Sequence, residues 1–476
     1  MSDLKQSTTK AILWSALDKA GQQGLQLVVG IVTMRLLAPE QFGMIAPLTL
    51  FVAIANILSE GGLSVALIRK TDASERDYNT VFWFNFGLGA IFYLVLFALS
   101  PWIAWYKESA ELTAIARVEF LSVVFSSLGL IQSTLLIKQS NFRHLARANV
   151  LSVFISGVAV VVLALLGYGV WALVAQILIQ SVSKTLILWM LSAWRPRLIF
   201  SWASAREMLG FSSKLIAGSL ANTVSANFYT TALGRYVSQA QLGAYDRANK
   251  IKETATGFLS HTFGNAIVVM LAQLQDQPER FREAFRKSQR SISFLLFPAL
   301  VGLIVVAQPM VEVVLTAKWL PSVPYIRLLC LSGMVATLNN MHGRALKVKG
   351  RSDITLALDI TDALLLIAFL YATIRYGLQV AILSDVAAKI LVFISYGTVS
   401  SRILGYRWVD QLRDVLPYTA LAVGMGAAIW PLGLVITSPL YLLISQLAAG
   451  IALYLALTRL FGMKEWADIR QIFRKL

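Results

Sequence analysis

The sequence predicts an all-α integral membrane protein of about fourteen transmembrane helices, and three observations carry that expectation. Hydrophobic residues make up 57% of the chain and charged ones only 14%, a balance that suits hydrocarbon better than water. The apolar residues gather into segments close to the ~20 residues that a helix needs to cross a bilayer core of ~30 Å. The third observation is an internal echo: RLLAPEQFG from Arg35 to Gly43 returns as RYVSQAQLG from Arg235 to Gly243.

The echo extends without a gap, because Asp18 and Gln22 align with Gly218 and Asn222. LLIKQSNFR (Leu135 to Arg143) faces ALKVKGRSD (Ala345 to Asp353), and Tyr168-Gly169 faces Tyr376-Gly377, at offsets near 208 to 210. Landmarks in one order at nearly one offset mark a duplication, the usual build of secondary transporters.

The elements follow in order. The first copy places spans at 11–34, 41–59, 80–103, 112–136, 148–166 and 170–192. The second places them at 209–234, 241–269, 291–315, 325–343, 354–374 and 379–401, and two more follow at 415–435 and 440–460. Basic residues divide them: Arg69, Lys70 and Arg76 precede the third span, Lys138, Arg143 and Arg147 the fifth, and Arg195, Arg197 and Arg206 the seventh. Arg280 to Arg290 precede the ninth, Arg344 to Arg351 the eleventh, and Arg402, Arg407 and Arg413 the thirteenth. These connectors and the two tails hold 27 Lys and Arg, whereas the alternate set holds about six. Basic loops stay in the cytoplasm, so both termini are expected there and the number of spans is even. The net charge of +17 is thereby a topology signal, reinforced by anionic membrane lipids, and nucleic acid is not an expected partner.

Composition also limits the chemistry. The first residues lack the short apolar core and small-residue cleavage site of a secretory signal, so the first helix is expected to be retained. Cys330 is the one cysteine, and His144, His261 and His342 are scattered, so no metal site, catalytic constellation or bound cofactor is expected. The longest hydrophilic stretch, Gln273 to Arg290, sets Phe281 and Phe285 at helical spacing among Arg282, Arg286 and Lys287, the pattern of a short helix lying on the membrane surface. No external loop is large enough for a membrane glycosyltransferase, polymerase or ligase, which disfavours those classes.

Polar groups inside the spans remain to be explained, because a charge in hydrocarbon costs ~2.5 to 3.5 kcal/mol on insertion scales and marks a pathway. The first helix carries Ser15, Asp18, Gln22 and Gln26 on one stripe, and its repeat mate carries Lys214, Gly218, Asn222, Ser225 and Tyr229. The eighth carries Asp246, Lys250, Glu253, Gly257 and His261, flanked by Arg247 and Lys252. Three such stripes imply a common water-filled space, against the plainer alternative of interhelical pairing and snorkelling. For Lys184 and Arg459, near span ends, snorkelling is the preferred expectation. Asp385 and Lys389, four apart, are expected to neutralise each other. Asp359 and Asp362 are candidates for carrying a proton or sodium ion, or for local polar contacts, and Arg327 has no partner that the sequence identifies.

RLLAPEQFGMIA, LSEGGLSVALIRK from Leu58, LAQLQDQPERFREAFRK, FPALVGLIVVAQP, AKWLPSVPYIRLLCLSG and ALKVKGRSDITLALD together resemble the polysaccharide transporter branch of the multidrug/oligosaccharidyl-lipid/polysaccharide flippase superfamily, nearest the Wzx exporters of the colanic-acid type. The resemblance covers nearly the whole chain and is specific for the family rather than for the sugar. It implies two six-helix lobes in a V around a cavity lined by helices 1, 2, 7 and 8, followed by two extra helices. The expected division is 1–206, 207–406 and 407–476. It further implies a flippase of the bacterial inner membrane that passes undecaprenyl-diphosphate-linked oligosaccharide units outward, feeding exopolysaccharide, capsule or O-antigen synthesis alongside a polymerase and a chain-length regulator. Lys214, Arg247 and Lys250 match the basic cavity residues held to grip diphosphate, while Asp18 and Glu253 depart from a purely cationic lining. A cation-coupled exporter of small drugs is the alternative within the superfamily. Pro47, Pro298 and Gly257 are the expected bending points.

Overall fold

The computed structural model describes residues 21–60, 62–70 and 72–463, with the side chains at 211, 214, 215, 218, 221, 222, 225, 226 and 258–266 outside that description. Every regular element among the described residues is helical. After α1 at residues 21–36 come α2 (Pro39–Ile45), α3 (Leu48–Glu60), α4 (Leu63–Arg69), α5 (Glu75–Tyr106), α6 (Glu111–Lys138), α7 (Phe142–Leu165) and α8 (Val170–Leu191). They continue as α9 (Trp202–Leu233), α10 (Gln239–Gln273), α11 (Pro278–Met310), α12 (Val323–Val348), α13 (Ser352–Thr373) and α14 (Leu378–Ile403). The last three are α15 (Trp408–Ile429), α16 (Leu432–Val435) and α17 (Pro439–Leu460). Among the described residues eleven helical stretches are long and apolar enough to cross a bilayer, and α1, α9 and α10 supply helices at the remaining expected spans. This is a multi-pass membrane protein.

The expected second span is not one rod. Within 41–59 it is divided into α2 and α3 at Pro47, and α4 follows beyond its end at Gly62, whose φ of 59° belongs to the left-handed region that glycine enters without strain.

The duplication read from the sequence reappears as duplicated hydrogen bonds. At the end of α6 the Asn141 amide donates to the Leu136 carbonyl, and at the end of α12 the Arg351 amide donates to the Leu346 carbonyl, both at 2.8 to 2.9 Å. Both helices thus close with a bond spanning five residues and a left-handed residue inside it, Ser140 at φ 56° in the first and Gly350 at φ 73° in the second. Gly169 and Gly377, the other matched pair, each precede a helix with positive φ, 54° and 105°.

The chain divides into two compact units, residues 1–243 and 244–476. In the first, α6 packs against α5, α8 and α3. Gly129 leaves room for Thr185, whose hydroxyl donates to the Phe125 carbonyl at 2.7 Å, and Trp189 Nε1 donates to the Leu128 carbonyl at 2.8 Å. In the second, α11 packs against α12, α15 and α17, and α14 against α12 and α13.

The segment expected to lie on the membrane surface is instead the first part of α11, continuous into its span. Phe281 and Phe285 are 1% and 0% exposed and pack with Met341, Ala345 and Tyr406. The amphipathic pattern was legible, but a protein core rather than lipid covers its apolar face. Arg286 on the other face is bound by buried Asp414 of α15, Nε to Oδ2 at 2.7 Å, and Tyr406 donates its hydroxyl to the same carboxylate at 3.0 Å. That network ties one of the two extra helices to α11.

Candidate functional site

α10 is the best-described part of the predicted polar lining. Its 35 residues give a rod of ~52 Å, longer than a bilayer core. Ala244, Tyr245 and Ala248 are buried on one face. On the other, the side chains of Lys250 and Glu253 are 68% and 45% exposed and stand 3.5 Å apart. Asn249 donates to Glu253 Oε1 at 2.9 Å, and the Thr254 hydroxyl bonds back to the Lys250 carbonyl at 2.8 Å. Lys250 lies ~16 Å along the axis from Gln239, within the stretch 241–269 that the sequence is expected to place in the membrane. An ammonium and a carboxylate exposed at that depth need water, because acyl chains offer neither hydrogen bonds nor counter-charge.

The ion pair between Lys250 and Glu253 is a loose one. Its length is at the long end for a charged contact and both partners are solvated, so its strength is that of a surface pair. The pair is therefore available to exchange partners with a ligand. Arg247 donates from Nε to Asp246 at 2.9 Å, and both are partly buried one turn nearer the helix start.

The remaining predicted residues divide between the units. In the first, Gln22 is half-buried and Gln26 exposed on α1, and Tyr229 is buried on α9. Asp18 lies outside the described residues, as do the side chains of Lys214, Asn222, Ser225 and His261. In the second, Asp359 of α13 accepts from the Tyr396 hydroxyl at 2.9 Å, and Asp362 is bound by Lys389 Nζ at 2.5 Å.

That last contact corrects the expectation for α14. Asp385 and Lys389 have the spacing of a helical ion pair, yet Lys389 bonds to α13, and Asp385 accepts from the Ser332 hydroxyl of α12 at 2.6 Å. Neighbouring helices offer closer, better-aimed partners than one turn of the same helix. Arg327 also finds partners: Nε donates to the Ile304 carbonyl at 3.2 Å, and the guanidinium stands 5.0 Å over the Trp430 ring. Lys184, left to snorkelling, is electrostatically coupled to Glu60.

Two residues escaped the sequence reading. Asn249, which bridges to Glu253, sits beside the polar stripe and carries no charge to draw notice. Lys252, read only as a flanking residue, passes over Gly333, where an added Cβ would lie 3.2 Å from its Cδ, and is coupled electrostatically to Asp385. The missing side chain at Gly333 was the available signal.

A family model described as polysaccharide biosynthesis protein matches residues 32–324. The chain belongs to this polysaccharide biosynthesis family. Among its relatives, the succinoglycan biosynthesis transport protein ExoT of Rhizobium meliloti (strain 1021) is 27% identical over 70% of this chain and 67% of that one. The lipopolysaccharide biosynthesis protein WzxC of Escherichia coli (strain K12) is 27% identical over 76% of this chain and 74% of its own length. In fold, this member of the family is similar to the lipid II flippase MurJ in an inward closed conformation, with a TM-score of 0.74 and 14% identity over 94% of this chain and 98% of that one.

Proposed function

We propose that the protein is a transporter, not an enzyme, that carries polyprenyl-diphosphate-linked oligosaccharide units across the bacterial inner membrane with both termini in the cytoplasm. The observation that carries this is the polar face of α10, on which exposed Lys250 and Glu253 meet half-buried Asn249 within the stretch expected to cross the membrane. A glycan with a diphosphate cannot cross ~30 Å of hydrocarbon unaided. A wet face of this kind meets it with an ammonium for diphosphate oxygens and with amide and carboxylate groups for sugar hydroxyls, while the prenyl tail stays in lipid.

Lys214, Arg247, Gln22, Gln26, Asn222, Ser225, Tyr229, His261 and Asp18 are assigned to the same lining, in a division into lobes 1–206 and 207–406 followed by residues 407–476. Alternating access then moves the headgroup without bond chemistry. Asp359 and Asp362 are retained as candidates for coupling to a proton or sodium gradient. A polymerase and a chain-length regulator would receive the product on the outer side.

The test is Lys250→Glu in a cell whose surface polysaccharide depends on this chain. Surface polysaccharide should fall about tenfold, the equivalent of ~1.4 kcal/mol, and lipid-linked intermediates should accumulate while drug susceptibility stays unchanged. Unchanged polysaccharide would remove α10 from the route, a change in drug susceptibility alone would indicate a small-molecule exporter, and altered glycan linkages would indicate an enzyme.

A further inference from the structure

Glu119 stands on α6 at 1% exposure. Its own helix surrounds it with Ala116, Phe120 and Val123, members of an apolar cluster completed by Leu48 and Ala55 of α3, Leu96 of α5 and Val174 of α8. Among the described residues its Oε2 has no hydrogen-bond partner, and no ion pair includes it. Asp246, Glu253, Asp359, Asp362 and Asp385 each have a donor or a cation.

The titratable groups of the surrounding elements are engaged elsewhere or lie at other levels. Arg117 of α6 itself donates to the Ser100 hydroxyl at 3.0 Å and stands over the Phe97 ring at 4.1 Å. On α5, Tyr93 packs on Phe97 and Tyr106 on Trp102. Glu60 of α3, five residues past Ala55, interacts with Lys184 of α8, ten residues past Val174. None of these groups, nor Glu40 of α2, Arg69 of α4 or the basic start of α7, forms a described hydrogen bond or ion pair with Glu119.

An ionised carboxylate in that cluster would have neither water nor counter-charge, whereas a carboxylic acid has no charge to solvate. Releasing the proton requires water to reach Oε2, and water reaches it only when α3, α5 or α8 loosens from α6. Proton occupancy and helix packing are thereby linked. The repeat supports a specialised role: Ser122, one turn from Glu119 and buried with an unbonded hydroxyl, aligns at an offset of 210 with Ser332, whose hydroxyl is held by a carboxylate from another helix.

Resting on the transport role proposed above, we propose that Glu119 is a proton-binding site, loaded and emptied as the packing around α6 changes, and that the proton is the ion coupled to transport. The full-length protein in lipid nanodiscs, probed with undecaprenyl diphosphate, tests this through three separate readouts: probe binding, the infrared band of the protonated carboxyl, and protons exchanged with a pH indicator dye. The wild type should show a carboxyl band that Glu119→Gln lacks, a shift of that band on probe addition, and exchange of about one proton per chain that Glu119→Gln loses while it still binds the probe, with a Kd changed by about tenfold because proton and probe binding are reciprocally linked. Glu119→Asp should restore the exchange. A band that stays fixed while the probe binds, or exchange that survives in Glu119→Gln, would make the acid structural and overturn the inference. If neither protein binds the probe, the transport role itself fails, and the coupling claim with it.

Discussion

Gly43 and Gly243 meet backbone against backbone in the first unit: a Cβ on Gly43 would run into the Gln239 carbonyl, and a Cβ on Gly243 into the Pro39 carbonyl. The two relationships exchange under an offset of 200, so the repeated motif crosses its own copy. Small residues at helix crossings allow this approach in membranes, where close packing replaces hydrophobic attraction. Gly43→Ala and Gly243→Ala should each destabilise the protein by ~1 to 3 kcal/mol. Because both press on one contact, the double variant should fall short of the sum by at least ~0.5 kcal/mol. Thermal unfolding of the detergent-solubilised protein measures both effects, and an additive pair would show that the two glycines are not in one contact.

Lys107, between α5 and α6, reaches the carboxyl end of α9 and donates to the Thr231 carbonyl at 2.7 Å. Burial, then the nearby Arg235 guanidinium, pushes its ammonium from the ordinary 10.5 down to about 8. Below about pH 8 the lysine is protonated in both folded and unfolded chains, and the cost of its buried charge is fully present. Between about 8 and 10.5 the unfolded chain holds the proton more tightly, so stability rises with pH in that window. The stability difference between wild type and Lys107→Met, followed by thermal unfolding from neutral pH upward, should move in the wild type's favour across that window. A difference that is flat with pH would show that Lys107 titrates normally.

Lys389 and Asp362 form the shortest described ion pair between α13 and α14, with side chains 18% and 29% exposed. Lys389→Met alone leaves Asp362 in the membrane without its cation and should cost ~3 kcal/mol, whereas adding Asp362→Asn should recover most of that loss. Surface polysaccharide measured on the same variants separates two roles for Asp362. If export returns with stability in the double variant, Asp362 serves only as the partner of Lys389; if stability returns without export, the carboxylate is needed in the cycle.

Much of the molecule was legible in the chain because the relevant signals are local. Each apolar segment meets the length rule for a span by itself, and the turns after Lys138 and Val348 close alike because the same backbone geometry was copied. The polar face of α10 was legible for the same reason, since 250 and 253 share a face of any helix. Side-chain partners were not. Asp385 and Lys389 satisfied a rule of helical spacing that two neighbouring helices overrode, and Phe281 and Phe285 satisfied a surface pattern that Tyr406 and Met341 turned into core. Glu119 passed unremarked because a single acid in an apolar run looks alike whether it meets a cation or meets nothing.

The sequence by itself determined the solvent, the all-helical build, the duplication and the polar stripe of α10, because hydrophobicity and helical period are properties of consecutive residues. Only the tertiary structure decided which charges are neutralised, which glycines carry a crossing and which carboxyl is left alone. Those outcomes depend on distances between helices that share no neighbouring residues, and a few ångströms there separate an ion pair from an isolated acid.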